Sequence, residues 1–459
     1  MKRSCLEDLD TWYHSERRKP LVIRGARQVG KTTLARLFAA SLDSEVAELN
    51  FERRPELAQL FAGNNPRKTL ELLELVLQRQ LEPGKTLLFL DEIQAAPEVF
   101  AALRYFYEDL PEQPLLAAGS LLELALEQPA FSVPVGRIEY LHLGPMSFEE
   151  VLLAAGREDL VAYLEAWTPA NAIPDILHRE LLSQVSRYFR LGGMPESVRA
   201  FLETGSYLES EKVKHSVLAT FAEDFGKYGR KVQPARLRKV LDRLPFLVGD
   251  KLKYSQIDRE ERSKDLAEAL HLLSLARVGY KVRHTAGNGV PLGAEADDKH
   301  FKMLFLDVGL GVTATGLQSR DLEQAEDLLL VNRGALAEQF VGQHLLYSGA
   351  SWETPQLFYW VREKEGSNAE VDYLISSGAE VLPIEVKAGK TGRLKSLQVF
   401  LAEKQRRFAI RLSSAPPSLS EAEVTLPSGE KHAFHLLSLP LYLICQVRRL
   451  ADLLISGSA

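Results

Sequence analysis

"GARQVGKT", residues 25–32, leaves the surrounding chain the least freedom. It follows the apolar run "PLVIR" and opens the helical pattern "TTLARLFAA". Strand, glycine loop and helix in that order form the context in which GxxxxGK[ST] wraps a phosphate. Gly25 and Gly30 let the backbone turn sharply, so that its N–H groups converge. The helix that follows adds the positive end of its dipole. Lys31 is then expected at the β- and γ-phosphates and the Thr32 hydroxyl at Mg²⁺, with Gln28 and Thr33 as further nucleotide contacts.

Such a loop belongs to α/β architecture with a mostly parallel sheet, and residues 1–155 alternate accordingly. The strand candidates are "LVIRG", "VAELNF", "TLLFLDE", "PLLAAGS" and "IEYLHLG". The third ends in two carboxylates. Asp91 is expected at the sheet's C-terminal edge beside the metal, and Glu92 where it can polarise an attacking water. ATP or GTP, with Mg²⁺, is the cofactor this pairing predicts.

At 459 residues the chain is too long for one core, and two to four domains are expected. A net charge of −6 gives the whole molecule no nucleic-acid footprint. Cys5 and Cys445 are too few for a disulfide framework or a thiolate metal site, which fits a reducing, cytoplasmic setting. The first residues have no continuous apolar core of the signal-peptide kind. "HLLSLPLYLICQV" is too short to span a membrane and contains Pro440. The ten histidines form no HxxxH or HExxH, and no GxSxG occurs, so zinc and serine hydrolase chemistry have no support.

Beyond "GPMSFEE" the pattern is almost wholly helical, and Ser147 with Glu150 reads as a capping box. Residues 212–264 carry 14 Lys and Arg against 7 Asp and Glu. "PARLRKVLDRLP" and "SKDLAEALHLLSLA" as helices, with "RVGYKVRHT" and "KHFKMLFLD" as paired strands, suggest a winged helix. Such a module can grip DNA. It can equally serve as a protein-packing unit with a solvated charged face.

Near the C-terminus, "AEVDYLIS" and "EVLPIEVKA" read as a hairpin turning at Gly378–Ala379, where glycine first suits a type II′ turn. That turn pairs Ser377 with Glu380 and sets Asp372 opposite Glu385. A turn at Ser377–Gly378 leaves the two acids on one face but offset, and a three-residue loop puts them on opposite faces. Like charges side by side destabilise a sheet, so protonation, a nearby cation or a metal must offset them. Lys387 lies two residues beyond Glu385. Two carboxylates, a metal and a lysine are the combination that activates water in phosphodiester cleavage. The same register places Glu370 opposite Lys387, so an ordinary ion pair is the alternative use of that lysine.

The N-terminal half resembles AAA-type and related STAND-type ATPases of bacteria and archaea, and the resemblance implies ATP as the nucleotide. "LLAAGSLLE" is similar to their sensor strand, which implies that Ser120 lies near the γ-phosphate. "GRIEYLHLGPMSFEE" is similar to the segment that follows, where Arg137 is the candidate sensing or trans-acting arginine. "RLGGMPE", with Gly192, Gly193 and Pro195, looks like the turn of the sensor region. Residues 330–415 resemble the PD-(D/E)XK nucleases: "EVDYLI…PIEVK" carries Asp372, Glu385 and Lys387, and the preceding helix "RGALAEQFVGQHLL" supplies Glu338. Val371 stands where that motif has proline. The resemblance implies a metal site of Glu338, Asp372 and Glu385 with Mg²⁺ or Mn²⁺.

Both halves together look like a prokaryotic family of AAA-type ATPases with a nuclease-related C-terminal domain. The matches are strongest at "GARQVGKTT", "LFLDEIQ", "GGMPE", "FLDVGL" and "PIEVK". The organisation expected is an ATPase core at 1–155, a helical and winged-helix-like region at 156–325, and a restriction-endonuclease-like domain at 326–459. Two functions follow. One is an ATPase coupled to a metal-dependent nuclease, acting on DNA as a homo-oligomer. The other is a STAND-type switch whose nuclease-like domain only binds a partner.

Overall fold

The computed structural model describes all residues except 43–44, 128–131, 228–231, 318–327, 364–367, 388, 390–393, 426–428, 430 and 458–459, and the side chains of 328–333. The five N-terminal strand candidates all form: β1 (Leu21–Arg24), β2 (Val46–Asn50), β3 (Leu87–Asp91), β4 (Leu115–Ala118) and β5 (Glu139–His142). Every neighbouring pair is parallel, in the order β2-β3-β4-β1-β5. The three inner strands, β1, β3 and β4, read as near-continuous apolar runs because both faces of the sheet are covered there. On β3, Leu87 and Phe89 enter one core while Leu88 and Leu90 enter the other.

An eight-stranded mixed sheet follows, ordered β12-β13-β11-β10-β9-β8-β6-β7. Its strands are β6 (Gly279–Thr285), β7 (Ala296–Phe305), β8 (Leu357–Arg362), β9 (Ala369–Ser377), β10 (Glu380–Val386), β11 (Phe408–Ser413), β12 (Ser418–Thr425) and β13 (Lys431–Pro440). The helix Leu328–Leu346 buries Ala337, Phe340 and Val341 in the core shared with the first sheet. The helix Lys395–Lys404 packs Leu397 and Phe400 into a separate core with Trp360 and Val371.

The expected wing is corrected here. β6 and β7 do pair antiparallel, but β6 also pairs in parallel with β8, so the two strands form the edge of the large sheet. That sheet therefore reaches across the expected boundary at 325. Part of the basic charge of the middle segment is paired with acids. Arg236 pairs with Glu261 at 2.9 Å, Arg238 with Asp242 at 3.1 Å and Lys251 with Glu363 at 2.5 Å, while Lys239 binds Asp258. Among the described residues no helix is long and apolar enough to cross a membrane.

The two sheets are joined by buried polar contacts. Ser147 and Glu150 form the expected capping box on the helix Phe148–Ala154. His344 Nε2 accepts the Phe148 N–H at 2.9 Å, so the ring must carry its proton on Nδ1, which donates to Phe340 O at 2.7 Å. Burial lowers the His344 pKa from 6.5 to about 4. The unfolded chain therefore takes up this proton first as the pH falls. The ring's stabilising contribution is complete above pH 6.5 and declines toward pH 4, by about 3 kcal/mol. Burial, Arg277 and Arg24 lower His142 in the same sense, to about 3. Denaturant melts across this range should show wild type losing stability with acid. His344→Gln should start lower and decline less steeply.

Candidate nucleotide site and carboxylate cluster

The phosphate loop leaves β1 after Arg24 and closes at Gly30, whose φ of +95° suits only glycine. Beneath it, Arg3 donates to Val29 O at 3.0 Å and to Gly144 O at 2.8 Å, and pairs with Glu150 at 3.0 Å. Glu150 also accepts the Ser4 N–H at 2.7 Å, so the buried pair is well satisfied.

Lys31 Nζ donates to Gly25 O at 3.1 Å and Ala26 O at 2.8 Å. Burial pushes its pKa down to about 8, with Glu92 the leading opposing charge. Thr32 Oγ1 lies 3.1 Å from Asp91 Oδ1, and Asn50 donates to Asp91 Oδ2 at 3.0 Å. Burial, and next Glu92, raise the Asp91 carboxyl. Glu92 accepts from Ser120 Oγ at 2.9 Å and Gln94 Nε2 at 2.7 Å. Burial pushes Glu92 up, but these hydrogen bonds outweigh it and leave the carboxyl below its ordinary range. Gln28, Glu92 and Leu121 all hold positive φ, at 65°, 53° and 56°. Non-glycine residues tolerate this at about 1–3 kcal/mol each, and such strain gathers at functional sites.

Gln28, Gly30, Lys31, Thr32, Thr33, Asp91, Glu92 and Ser120 line one pocket of about 440 Å³. Gly25 supports it from behind, where a Cβ would fall 2.2 Å from Leu143 O. The hydroxyl and carboxylate of Thr32 and Asp91 suit Mg²⁺. Gln28 Oε1 is buried without a hydrogen-bond partner. The residues fit a nucleoside triphosphate with its metal. Pro195, Glu196 and Arg199 also line the pocket. Arg199 was missed from sequence; its position one turn into the helix Pro195–Thr204, just after "GGMPE", was the available signal. Arg137 is not brought here. It lies just before β5, where Glu139 N–H meets Pro20 O at the start of β1, and it pairs with Glu108 at 2.8 Å. A larger cavity of about 970 Å³ lies between the sheets, but its Arg3–Glu150 pair is already engaged.

"GGMPE" and "FLDVGL" turn out to be two sides of one junction. Asp307 is fully buried, accepts the Gly193 N–H at 2.7 Å and caps the helix Val308–Ala314 through the Leu310 N–H at 2.9 Å. Gln343, on the helix Leu328–Leu346, accepts the Val308 N–H at 2.8 Å and donates to Tyr188 at 2.9 Å. Gln339 holds both the N–H and the C=O of Phe305. Burial raises the Asp307 carboxyl despite its hydrogen bonds and the opposing Lys214.

The hairpin has the expected register, Ser377 facing Glu380 and Tyr373 facing Ile384, with positive φ at Gly378. Next to β8, β9 carries one extra residue between Val371 and Leu374, a bulge beside Asp372. Asp372 Oδ2 accepts the Val386 N–H at 2.7 Å. Lys387 Nζ lies 2.5 Å from Glu385 Oε1, so the lysine is paired within its own strand end; Glu370 instead binds Lys302. Burial, and next the charge of Asp372, raise both Glu338 and Glu385; burial raises Asp372. Glu338 Oε2 and Glu385 Oε2 are buried without hydrogen-bond partners.

The expected acids therefore do come together, but not as a metal cage. Among the described residues no three Asp, Glu, His or Cys side chains are grouped to hold a metal ion. Lys302 Nζ stands 3.8 Å from Glu338 Oε2 and 4.0 Å from Asp372 Oδ1. As arranged, the cluster does not fit Mg²⁺ or Mn²⁺. Sequence reasoning missed Lys302, although a lone cation inside "FKMLFLD" was a visible signal.

Residues 17–152 match the family model described as an AAA domain, so this region is an AAA-type P-loop ATPase domain. Residues 182–321 match a domain of unknown function (DUF8612), and residues 333–427 another (DUF4143). None of the curated proteins compared matches the chain. Among solved structures, the Walker-type ATPase of Pyrococcus abyssi is 14% identical over 68% of this chain and 94% of its own, with a TM-score of 0.43. A STAND protein with a tetratricopeptide repeat sensor from Pyrococcus horikoshii is 14% identical over 75% of this chain and 45% of its own, at 0.26. The Aeropyrum pernix ORC2 protein in its ADP form is 13% identical over 70% and 91%, at 0.30.

Gly192 has φ +71°, and a Cβ there would sit 2.0 Å from Asp307 Oδ1. Gly192→Ala should therefore cost at least about 2 kcal/mol in denaturant unfolding.

Proposed function

We propose that the chain is an ATP-hydrolysing switch whose nucleotide state is passed to the C-terminal sheet through the Asp307 junction. The observation that carries this reading is the Gly193–Asp307 hydrogen bond, because Pro195 and Arg199 of the nucleotide pocket follow directly on that glycine turn. Bound ATP supplies the phosphoanhydride bond to be cleaved. Lys31 offers its ammonium to phosphate charge, while Thr32 and Asp91 offer the oxygens for Mg²⁺. Glu92, kept ionised by Ser120 and Gln94, accepts a proton from water. Arg137 does not line this pocket and is paired with Glu108, so the part left to it in this reading is a trans-acting one, on a neighbouring copy in a homo-oligomer.

A DNA-cleaving form of the C-terminal site is the second reading. It is favoured by the convergence of Asp372, Glu385, Glu338 and Lys387, with two buried carboxylate oxygens, Glu338 Oε2 and Glu385 Oε2, that accept no hydrogen bond. It requires the acids to be released from Lys302.

Nucleotide binding and phosphate release on purified protein test the first reading. Lys31→Ala should lose binding. Glu92→Gln should bind but hydrolyse at least about 100-fold more slowly. Wild type that fails to bind ATP, or Glu92→Gln at the wild-type rate, contradicts these roles. Mixed DNA and RNA substrates with Mg²⁺ or Mn²⁺ and ATP separate the two readings. Cleavage abolished by Lys387→Ala, with ATP hydrolysis intact, supports the nuclease; its absence in wild type leaves the switch.

A further inference from the structure

Lys302 is a charge that the nuclease resemblance does not account for. It stands on β7, the edge strand three places from β9, yet its side chain is 4% exposed and its ammonium reaches the carboxylates around β9. It bonds Glu370, lies 3.8 Å from Glu338 Oε2 and 4.0 Å from Asp372 Oδ1, and sits 5.3 Å from the centre of the Tyr359 ring. A buried ammonium is tolerated only among compensating charges, and these three acids supply them.

A divalent ion held by Glu338 and Asp372 would sit close beside this ammonium, since carboxylate oxygens hold Mg²⁺ at about 2.0–2.1 Å and both lie within 4.0 Å of Nζ. The lysine therefore repels such an ion and already supplies the positive charge that the acids call for. The surrounding structure fixes the lysine there. Val248 and Lys251 bridge to Met303 and Lys302, so the 248–251 segment is tied to β7. A Cβ on Gly249 of that segment would fall 2.9 Å from Glu338 Oε2. Phe305, which ends β7, is held at both backbone groups by Gln339, the neighbour of Glu338.

We propose that Lys302 is the resident counter-cation of the carboxylate cluster and bars divalent metal from it, so that the site takes Mg²⁺ or Mn²⁺ only when β7 draws the lysine away. This rests on reading residues 330–415 as a nuclease-like site, and adds what keeps that site closed. β7 runs straight into Asp307, so whatever moves the glycine turn beside the nucleotide pocket pulls on the strand carrying Lys302.

The test is Mn²⁺ titration of the full nucleotide-free chain, followed by electron paramagnetic resonance of the free ion. Wild type is compared with Lys302→Met, Lys302→Gln and Lys302→Arg, each with and without Asp372→Asn. Lys302→Met and Lys302→Gln should gain one site at least about tenfold tighter than any in wild type. Asp372→Asn should abolish that gain. Lys302→Arg, which keeps the charge, should stay like wild type. A tight site already present in wild type and lost with Asp372→Asn overturns the barring role, whether or not the variants fold, but leaves a metal site in place. No gain in folded Lys302→Met and Lys302→Gln, with no Asp372-dependent site in wild type, overturns both the barring role and the metal-site reading. A gain that survives Asp372→Asn places the ion elsewhere and also overturns the proposal.

Discussion

Asp307 is a carboxylate shut away from water, and the connection between the two sheets depends on how it is satisfied. Burying such a group is costly unless hydrogen bonds replace the lost hydration. Two backbone N–H groups do so, from Gly193 and Leu310, and Lys214 adds a compensating charge. Neither could approach if the glycine turn carried side chains. A Cβ on Gly309 would fall 2.4 Å from Gly192 N. The nucleotide-side turn and the start of the Val308 helix are therefore held backbone to backbone. Neither can shift alone without uncovering a buried charge.

Three further ion pairs, formed by two buried glutamates, link the surroundings of the nucleotide pocket to the rest. Arg3 holds the phosphate loop from below and is itself held by Glu150, which caps the helix leading away from β5. Glu123, just beyond Ser120, lies between Arg24 at 3.1 Å and Arg277 at 2.7 Å. Arg277, in the turn before β6, keeps a positive φ of 59° to reach it. Each contact joins a part that meets nucleotide to a part that does not. Removing one member of such a pair leaves the other charged and buried, which makes these contacts effective at fixing one arrangement.

What the sequence disclosed was local. The phosphate loop, the acid-ended strand β3 and the hairpin register were legible because each is encoded within a few residues of strand period, glycine placement or turn chemistry. The Gly378 turn set Tyr373 opposite Ile384, and one residue further on Asp372 accepts the Val386 N–H and adds to burial in raising the neighbouring Glu385 carboxyl. The wing was misjudged because antiparallel pairing of β6 and β7 is a local signal. The parallel partner β8, which absorbs them into the large sheet, lies far along the chain. Lys302 escaped for a related reason: only the three-dimensional path of β7 brings it beside Glu338. Arg137 is half-buried and outside the pocket, and nothing in its local sequence distinguishes that placement from an inward one.

Hydrogen exchange with and without a non-hydrolysable ATP analogue and Mg²⁺, in wild type and in Asp307→Asn, bears most directly on the link between pocket and cluster. The asparagine keeps the shape but can present an amide donor toward the Gly193 N–H. In wild type the analogue should alter exchange in β7 and in the helix Leu328–Leu346, and in Asp307→Asn the change should stay within residues 1–155. Identical changes in both proteins, or none beyond the first sheet in wild type, would mean that Asp307 joins the two parts without carrying the nucleotide state between them.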